Sequence, residues 1–446
     1  MKSYRAIADT MATDIASGRL SPGERLPPHR EFAYRHGIAN STASRVYREL
    51  VRRGLVSGEV GRGTFVRVGP APLFPALAEP ARAPIDMELN FPTVPEQPAL
   101  LARSLSGLLR RSPELGASFA AIGAHGSPAA RQIASGFLAQ DGWHPSASDI
   151  LFAGNGRQAL AAAFAALVPP GERLGVEPLT YPVVKGLAAR LGIVLVPLAM
   201  DEVGVRPDAV EAAHRASPLR AVYLQPTLHN PIGVSMTDRR RAEIAALLRR
   251  LDLFAIEDRV YAFLADGVTP LAGHAPDRTI VIDSLSKRLS PGLTLGFIVA
   301  PTGMGDRVAA ALRSGAWAAS GFALAAGSRW IADGTVAAIV DAKRKDAALR
   351  QRVAQDRLAG LDVRGDPRAY HCWLTLPEAW RAEEFTAAAG RRGIAITPAA
   401  AFATAPGHAP NAVRLALASP PVDVLTSALG SLATLARSTR EAWATE

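Results

Sequence analysis

Cysteine and lysine are scarce in this sequence, and long apolar runs are missing. A single cysteine, Cys372, among 446 residues excludes an internal disulfide framework and any zinc cluster built on several cysteines. No apolar stretch is long enough to cross a bilayer, and no early apolar run follows a basic start. We therefore expect a cytoplasmic protein of a reducing compartment, with no metal site and no membrane contact. Only five of the 50 basic residues are lysines, so each lysine invites a chemical explanation.

Size and charge point to more than one domain. The 446 residues are 48% hydrophobic, which is ample for a buried core, and 20% charged, which does not suggest disorder. Residues 1–70 hold twelve basic and six acidic side chains and so carry +6 of the total net charge of +10. This asymmetry favours a polyanionic partner for the N-terminal part.

The first seventy residues predict three helices and a hairpin. Apolar residues recur at helical spacing over 7–15, and a second short helix is expected from about 28 to 36. A third helix starts with Asn40 or Ser41 as N-cap. "LVSGEVGRGTFVRV" then indicates two short strands around a glycine-rich tip.

Three helices followed by a hairpin are typical of a winged helix-turn-helix domain. The second helix of the turn enters the major groove of double-stranded DNA with its N-terminal residues. The alternative is a small helical domain with a solvated basic face. On the first interpretation, the candidate DNA-binding residues of the third helix are Asn40, Ser41, Thr42, Ser44 and Arg45.

Three motifs, "LPPHREFA", "NSTASRVYREL" and "GRGTFV", resemble the DNA-binding domain of the GntR family. The resemblance covers about residues 3–68. It implies DNA contacts from Arg30, from the start of the third helix and from Arg62 in the wing. Many relatives have arginine where this chain has Asn40 and Ser44, so we expect a different base preference.

The rest of the chain predicts a linker and a larger α/β domain. We assign residues 1–68 to the winged domain, 69–85 to a Pro- and Ala-rich linker and 86–446 to the larger domain. There, short apolar runs such as "AVYLQP" alternate with helical stretches, which indicates a mainly parallel sheet. Ligands of such sheets bind at the carboxyl ends of the strands.

A possible anion site follows one of these strands. "ILFAGNGRQALAAAF" predicts a strand, a tight turn and a helix. The start of the helix, at Gly156, Arg157 and Gln158, would offer unpaired N–H groups to an anion. The alternative is an ordinary strand–helix turn without a ligand.

Three other strand ends carry polar groups. Asn230 follows "AVYLQP", Asp258 ends "FAIED" with Tyr261 three residues on, and Lys287 follows "TIVID". Pyridoxal phosphate needs an amine for its aldehyde, an acid for its pyridine nitrogen, donors for its phenolate oxygen and an anion cradle. An arginine cannot replace the amine, because a guanidinium does not lose its proton. The set therefore favours a pyridoxal 5'-phosphate site.

The order of these motifs resembles that of fold-type I aminotransferases over about residues 88–440. The resemblance implies that Lys287 bonds the cofactor aldehyde and that Asp258 pairs with the pyridinium nitrogen. Asn230 and Tyr261 would hydrogen-bond the phenolate oxygen. Tyr181, in "EPLTYP", would stack on the ring.

The same resemblance implies two anion-binding groups. Arg414, in "NAVRLALA", would bind the carboxylate of an amino-acid ligand, a bidentate task suited to arginine. An ordinary strand arginine paired with a neighbouring acid is the alternative. The phosphate would be held by Gly156, Arg157, Gln158, Ser284 and Ser286.

The sequence departs from the aminotransferase pattern at the phosphate. Relatives usually have "L-R-L-G" after the lysine, whereas this chain has "LTLG" with Thr294. Relatives also often carry a tyrosine in the region of residues 121–126, where this chain has none. We expect a weakened phosphate cup, for which Arg157, Arg288 or His125 could compensate.

A winged helix joined to an aminotransferase-like domain resembles the MocR subgroup of GntR regulators. The expected fold class is α/β: a winged helix-turn-helix plus a large α/β domain and a small C-terminal α+β domain. The expected function is a homodimeric, pyridoxal phosphate-dependent transcriptional regulator that senses an amine, an amino acid or the vitamer itself. Two alternatives stay open: an active aminotransferase with an attached DNA-binding domain, and a DNA-binding protein whose large domain is a dimerisation scaffold without cofactor.

Overall fold

The structure, a computed structural model, describes residues 4–16, 19–21, 24–53, 55–59, 63–66, 83–110, 112–140, 142–405 and 409–438. Arg62 and most of the predicted linker 69–85 lie outside these ranges.

The N-terminal domain is a winged helix-turn-helix. Its hairpin is antiparallel. The segment before α2 pairs with the second strand of the hairpin, where Leu26 N donates to Thr64 O at 2.8 Å. Apolar side chains of the three helices and of the hairpin form one buried core. The elements are α1 (Tyr4–Ala16), α2 (His29–His36), α3 (Asn40–Arg52), β1 (Val56–Glu59) and β2 (Gly63–Val66).

The expected N-cap of α3 was wrong. Ala39 takes that position with an extended backbone and no side-chain cap, and Asn40 is already helical. Gly37, with φ of 61°, ends α2 in the left-handed conformation and so sets the tight turn between the two helices. Asn40 and Ser41 are therefore exposed side chains on the first turn of α3 rather than caps of it.

The larger domain begins with a strand and alternates strands with helices. Short 3₁₀ segments at Ala147–Asp149, Ala262–Leu264 and Ala399–Ala401 complete the irregular parts. The elements up to the long helix are β3 (Ile85–Asp86), α4 (Gln97–Leu109), α5 (Ser112–Ala117), α6 (Pro128–Leu138), β4 (Ile150–Ala153), α7 (Gly156–Leu167), β5 (Arg173–Val176), α8 (Pro182–Leu191), β6 (Val194–Pro197), β7 (Met200–Asp201), β8 (Gly204–Val205), α9 (Pro207–Ala216), β9 (Ala221–Leu224), α10 (Asp238–Arg250), β10 (Phe254–Asp258), α11 (Leu271–His274), β11 (Thr279–Ser284), α12 (Leu285–Arg288), β12 (Gly296–Val299), α13 (Gly305–Ser314), α14 (Gly321–Ala332) and α15 (Thr335–Arg357).

The central sheet confirms the α/β prediction. Its seven strands run in the order β4-β12-β11-β10-β9-β5-β6, and only β12 is antiparallel to its neighbours. Most of these strands are apolar and buried because helices cover both faces of the sheet. The ends of β9, β10 and β11 therefore meet at one edge of the sheet.

The C-terminal part is a small α+β unit. It contains an antiparallel sheet in the order β13-β14-β17-β16, packed on α16 and α17. β15 pairs in parallel with β3, so the strand that follows the predicted linker is paired with this unit. The elements are β13 (Asp362–Arg364), β14 (His371–Thr375), α16 (Ala382–Arg391), β15 (Ile394–Ala395), β16 (Thr397–Pro398), β17 (Ala412–Ala416) and α17 (Val422–Arg437).

Among the residues that the structure describes, no helix combines the length and apolarity needed to span a membrane.

Candidate functional site

A cavity of about 360 Å³ lies at the carboxyl ends of the parallel strands. Arg414 and Gln158 are not among the residues found around it. The predicted site residues that do line it are Gly156, Arg157, Tyr181, Asn230, Asp258, Tyr261, Ser284, Ser286 and Lys287.

Lys287 lies in the short helix α12, directly after β11. Its Nζ donates to Asn90 O at 2.8 Å and lies 3.5 Å from the ring centroid of Phe91. Burial lowers the pKa of this amine well below its ordinary value, and the positive charges of Arg414 and Arg157 lower it further. A lowered pKa increases the share of neutral amine, which is the form that attacks a carbonyl.

Asp258 is the last residue of β10 and is fully enclosed. Its Oδ2 accepts from Tyr223 Oη at 2.7 Å and from Gln225 Nε2 at 3.1 Å, and its Oδ1 accepts from Val260 N at 3.1 Å. Burial raises the pKa of this carboxyl, although its hydrogen bonds lower it in part. A cation placed beside it would be strongly stabilised, because little solvent screens the pair.

Glu257, the other acid of the same motif, faces away from the cavity. It accepts from the N–H groups of Leu271 and Ala272, both at 3.0 Å, and lies 3.7 Å from Arg241. Its role is therefore to hold the start of α11 against the sheet.

The sequence motifs did not indicate Gln225, which connects three predicted site residues. Its Nε2 donates to Asp258, and its Oε1 accepts from Asn230 N at 3.2 Å. Asn230 Oδ1 in turn accepts from Arg414 Nη1 at 3.3 Å. Gln225 is the first residue after β9. The expectation that ligands bind at the carboxyl ends of the strands therefore applies to it as well.

The anion end of the cavity is formed by hydroxyl groups and by the start of α7. Ser284 Oγ lies 2.8 Å from Ser286 Oγ and 3.2 Å from Thr294 Oγ1. Gly156 lies so close that an added Cβ would stand 3.2 Å from Ser284 Cβ. The N–H of Gln158 is already bound by the N-cap Asn155, at 2.9 Å from its Oδ1.

Arg157 is the cation at this end. It is an exposed side chain that lines the cavity, and its Nε donates to Tyr181 Oη at 3.3 Å. The other two basic side chains predicted to compensate at the phosphate lie elsewhere. Arg288 is buried and paired with Asp283, and His125 lies 3.8 Å from Asp306. Neither lines the cavity.

Tyr261 and Tyr181 both line the cavity. Burial raises the pKa of Tyr261 to about 12, so its hydroxyl stays protonated and can donate. Burial also raises the pKa of Tyr181. Both phenols therefore act as neutral hydrogen-bonding groups at neutral pH.

Arg414 lies in β17, beside the cavity rather than in its wall. The residue is 6% exposed, and its guanidinium carbon lies 5.1 Å from the ring centroid of Phe402. Its Nη2 donates to Glu88 O and, at 2.9 Å, to Thr397 Oγ1.

The candidate DNA contacts lie on the winged domain. Ser44 Oγ is 3.2 Å from His29 Nδ1, so this hydroxyl is already engaged within the domain. Thr42 and Ser44 are partly buried, and Arg62 lies outside the described residues. The remaining candidates are exposed: Arg30, Asn40, Ser41 and Arg45.

Two family models match the chain. The model described as "Aminotransferase class I and II" matches residues 117–432, and the model described as "Bacterial regulatory proteins, gntR family" matches residues 3–66.

Individual proteins resemble most of the chain. The "Uncharacterized HTH-type transcriptional regulator YdeF" of Bacillus subtilis is 30% identical over 94% of this chain and 90% of its own length. The "Vitamin B6 salvage pathway transcriptional repressor PtsJ" of Salmonella typhimurium is 26% identical over 80% of this chain and 78% of its own. The solved structure of LysN, an alpha-aminoadipate aminotransferase from Thermus thermophilus complexed with N-(5'-phosphopyridoxyl)-L-leucine, superposes with a TM-score of 0.70 at 20% identity, over 79% of this chain and 92% of that one.

Proposed function

The chain belongs to the aminotransferase class I and II family and carries a gntR-family DNA-binding domain at its N-terminus, the MocR pattern of transcriptional regulators; from this premise we propose that it binds pyridoxal 5'-phosphate and responds to an amine or amino acid. The observation that carries the proposal is that Lys287 and Asp258 line one cavity. The pKa of the amine is lowered there and that of the carboxyl is raised.

The donor set fits the cofactor. When bound, pyridoxal phosphate supplies an aldehyde that condenses with amines, and its pyridine nitrogen needs an acid. Asp258 would hold the charge at that nitrogen, because Tyr223 and Gln225 fix its carboxylate. Asn230 and Tyr261 would bind the phenolate oxygen, and Tyr181 would cover the ring.

The phosphate would lie at the hydroxyl end of the cavity. Ser284, Ser286 and Thr294 offer hydroxyl groups, Gly156 offers the start of α7, and Arg157 supplies the positive charge. We do not assign the N–H of Gln158 to the phosphate, because Asn155 already occupies it.

The names of relatives support the cofactor. PtsJ is described as a repressor of vitamin B6 salvage, and LysN was solved with a phosphopyridoxyl amino acid. Within this chain, Arg414 is the group suited to a ligand carboxylate. The winged domain would then bind duplex DNA with an affinity that depends on the ligand.

We also propose that the protein is a homodimer. Large apolar side chains stand exposed on the aminotransferase-like domain, with Phe119 at 74% and Leu109 at 51%. Contiguous exposed apolar patches mark interaction surfaces, and we propose that these residues belong to one. Light scattering of the purified protein should give twice the mass of one 46.9 kDa chain.

The first test concerns Lys287. The full chain mixed with pyridoxal phosphate should show a visible absorption band, and borohydride should fix the cofactor to Lys287 in a peptide map. Lys287→Ala should abolish the band. Lys345→Ala, which changes an exposed lysine, is the matched control and should keep it. A band that survives in Lys287→Ala contradicts the assignment.

The second test concerns the output. Binding to duplex DNA from the region flanking its own coding sequence should change when a panel of amines and amino acids is added to the cofactor-loaded protein. A change with pyridoxal phosphate alone would identify the vitamer as effector. Steady turnover of an amino donor with an oxo-acid would instead support the working aminotransferase.

A further inference from the structure

A short segment contacts both groups that an amino-acid ligand requires. Residues 88–91, hereafter the strap, lie between β3 and α4. Asn90 O accepts from Lys287 Nζ, and Glu88 O accepts from Arg414 Nη2. Leu89 O accepts from Ser419 Oγ at 2.7 Å, so the strap is held from both the large and the small parts of the domain. The Phe91 ring covers the Lys287 amine.

The hydrogen bonds of Arg414 leave no bidentate edge for a carboxylate. A carboxylate binds a guanidinium through two parallel N–H groups. The two edges that can do this, Nη1–Nη2 and Nε–Nη2, both include Nη2. Both hydrogens of Nη2 are taken, one by Glu88 O and one by Thr397 Oγ1. Arg414 Nε is buried and has no partner among the described residues.

We propose that a ligand carboxylate displaces the strap from Arg414 and that this displacement is the step that carries ligand binding toward the DNA-binding domain. The proposal rests on the proposed function, because it takes an amino acid as the ligand. It assigns to the strap a regulatory role: a backbone carbonyl of the chain competes with the ligand for the same guanidinium.

The strap is joined firmly to the strand that follows the linker. Asp86 Oδ1 accepts from Glu88 N at 2.8 Å and from Leu89 N at 2.9 Å. Asp86 belongs to β3, which pairs with β15, and Met87 N donates to Ala395 O at 2.9 Å. Movement of the strap therefore acts on β3, and β3 begins at Ile85, the last residue of the predicted linker 69–85.

Hydrogen exchange of the amides of residues 86–91 tests this directly. The full chain is loaded with pyridoxal phosphate and given L-alanine or ethylamine, two amines of which only L-alanine has a carboxylate. L-alanine should speed exchange of this segment about tenfold, as expected for the loss of a hydrogen bond. Ethylamine should leave it unchanged although it also alters the absorption band. Arg414→Lys, which keeps the charge without the bidentate edge, should remove the effect of L-alanine.

The outcomes separate the strap from the proposed function. If both amines change the band but neither changes the exchange, or both change it equally, the strap proposal is wrong and the cofactor proposal stands. If neither amine changes the band, the proposed ligand response is wrong. The strap proposal is then tested with sodium propionate, which has a carboxylate but no amine. If propionate speeds hydrogen exchange of residues 86–91 and Arg414→Lys abolishes this effect, the strap proposal is supported. Unchanged exchange overturns it.

A second variant tests the anchor without touching Arg414. Ser419→Ala removes the donor to Leu89 O, so strap exchange should rise without ligand and the midpoint of the L-alanine titration should fall several-fold. Ser427→Ala is the matched control, because its Oγ donates to Asp423 O within α17, away from the strap. Identical strap exchange and identical midpoints in the two variants would overturn the proposal.

Discussion

Lysine serves one purpose repeatedly in this protein. Lys345 is exposed, but the other three lysines within the described residues direct their amines at backbone carbonyls. Lys185 Nζ donates to three carbonyls between residues 400 and 403, and Lys343 Nζ donates to Leu289 O at 2.7 Å and Lys287 O at 3.1 Å. The compact lysine amine, with its freely rotating hydrogens, suits such convergent carbonyls better than a planar guanidinium. Three of the few lysines therefore lie beside backbone carbonyls, and of these three only Lys287 lines the cavity.

Thr294 should limit the affinity for the cofactor. The start of a helix supplies about half a positive charge, whereas the phosphate is dianionic. An arginine at this position would add a charge-assisted hydrogen bond of ~1.5–3 kcal/mol, which corresponds to a roughly tenfold to hundredfold tighter dissociation constant. We predict this gain for Thr294→Arg in a pyridoxal phosphate titration followed by absorbance.

The control for this prediction is Thr302→Arg, which adds the same charge at an exposed residue outside the cavity. Its dissociation constant should equal that of the wild type. If the dissociation constant of Thr294→Arg also equals that of the wild type, Arg157 already neutralises the phosphate. Arg157→Ala should then weaken cofactor binding by the same factor that is predicted here for the gain in Thr294→Arg.

At the scale of elements, α12 is held by a buried amine on α15. Burial lowers the pKa of Lys343 to about 7, whereas an unfolded lysine has a pKa of about 10.4. Between these two pH values Lys343 is protonated in the unfolded state and neutral in the folded state. The free energy of unfolding should therefore rise as the pH increases from about 7 toward 10, and its Lys343 component should be flat below 7.

Urea unfolding at pH 7, 8 and 9 checks this sign. The wild type should gain stability over this range relative to Lys343→Met, which has no proton to lose. Lys345→Met changes an exposed lysine of the same helix and should follow the wild type. Parallel curves for wild type and Lys343→Met would mean that the amine is charged throughout.

The winged domain should bind DNA mainly through charge. Log affinity should fall with log salt at a slope of about −0.9 per neutralised phosphate. Arg30→Ala should weaken binding by roughly 1–3 kcal/mol if Arg30 contacts a base, or flatten the slope by about one unit if it contacts a phosphate. Arg313→Ala, an exposed arginine of the large domain, is the control. Binding that ignores salt would contradict the prediction.

Elements with a local signal were predictable, and contacts between distant segments were not. The helices of the winged domain follow apolar spacing, and Lys287 and Asp258 follow strand ends. The N-cap of α3 was misplaced because propensity favoured Asn40 over Ala39, whereas the turn at Gly37 fixed the boundary. The strap had no local signal, because its bonds to Lys287 and Arg414 span 197 and 326 positions of the chain.

At the scale of the whole molecule, the proposed ligand site joins parts that lie far apart in the sequence. Lys287 follows a strand of the central sheet, Arg414 belongs to the small C-terminal sheet, and the strap touches both. β3 ties the strap to β15 of the small unit. A ligand that contacts both side chains would therefore act on the strap, the segment that leads back to the DNA-binding domain.

This arrangement makes a reciprocal prediction. If an amino acid changes the affinity for DNA by some factor, DNA must change the affinity for that amino acid by the same factor, and typical couplings are about 5- to 150-fold. The dissociation constant of DNA is measured with and without saturating L-alanine, and the midpoint of the L-alanine titration is measured with and without saturating DNA. The two ratios should agree. In Ser419→Ala both ratios should shrink together, because the strap is already loosened, whereas Ser427→Ala should keep them. Equal ratios that do not respond to Ser419→Ala would show a coupling that bypasses the strap, and ratios of one in the wild type would show that ligand and DNA bind independently.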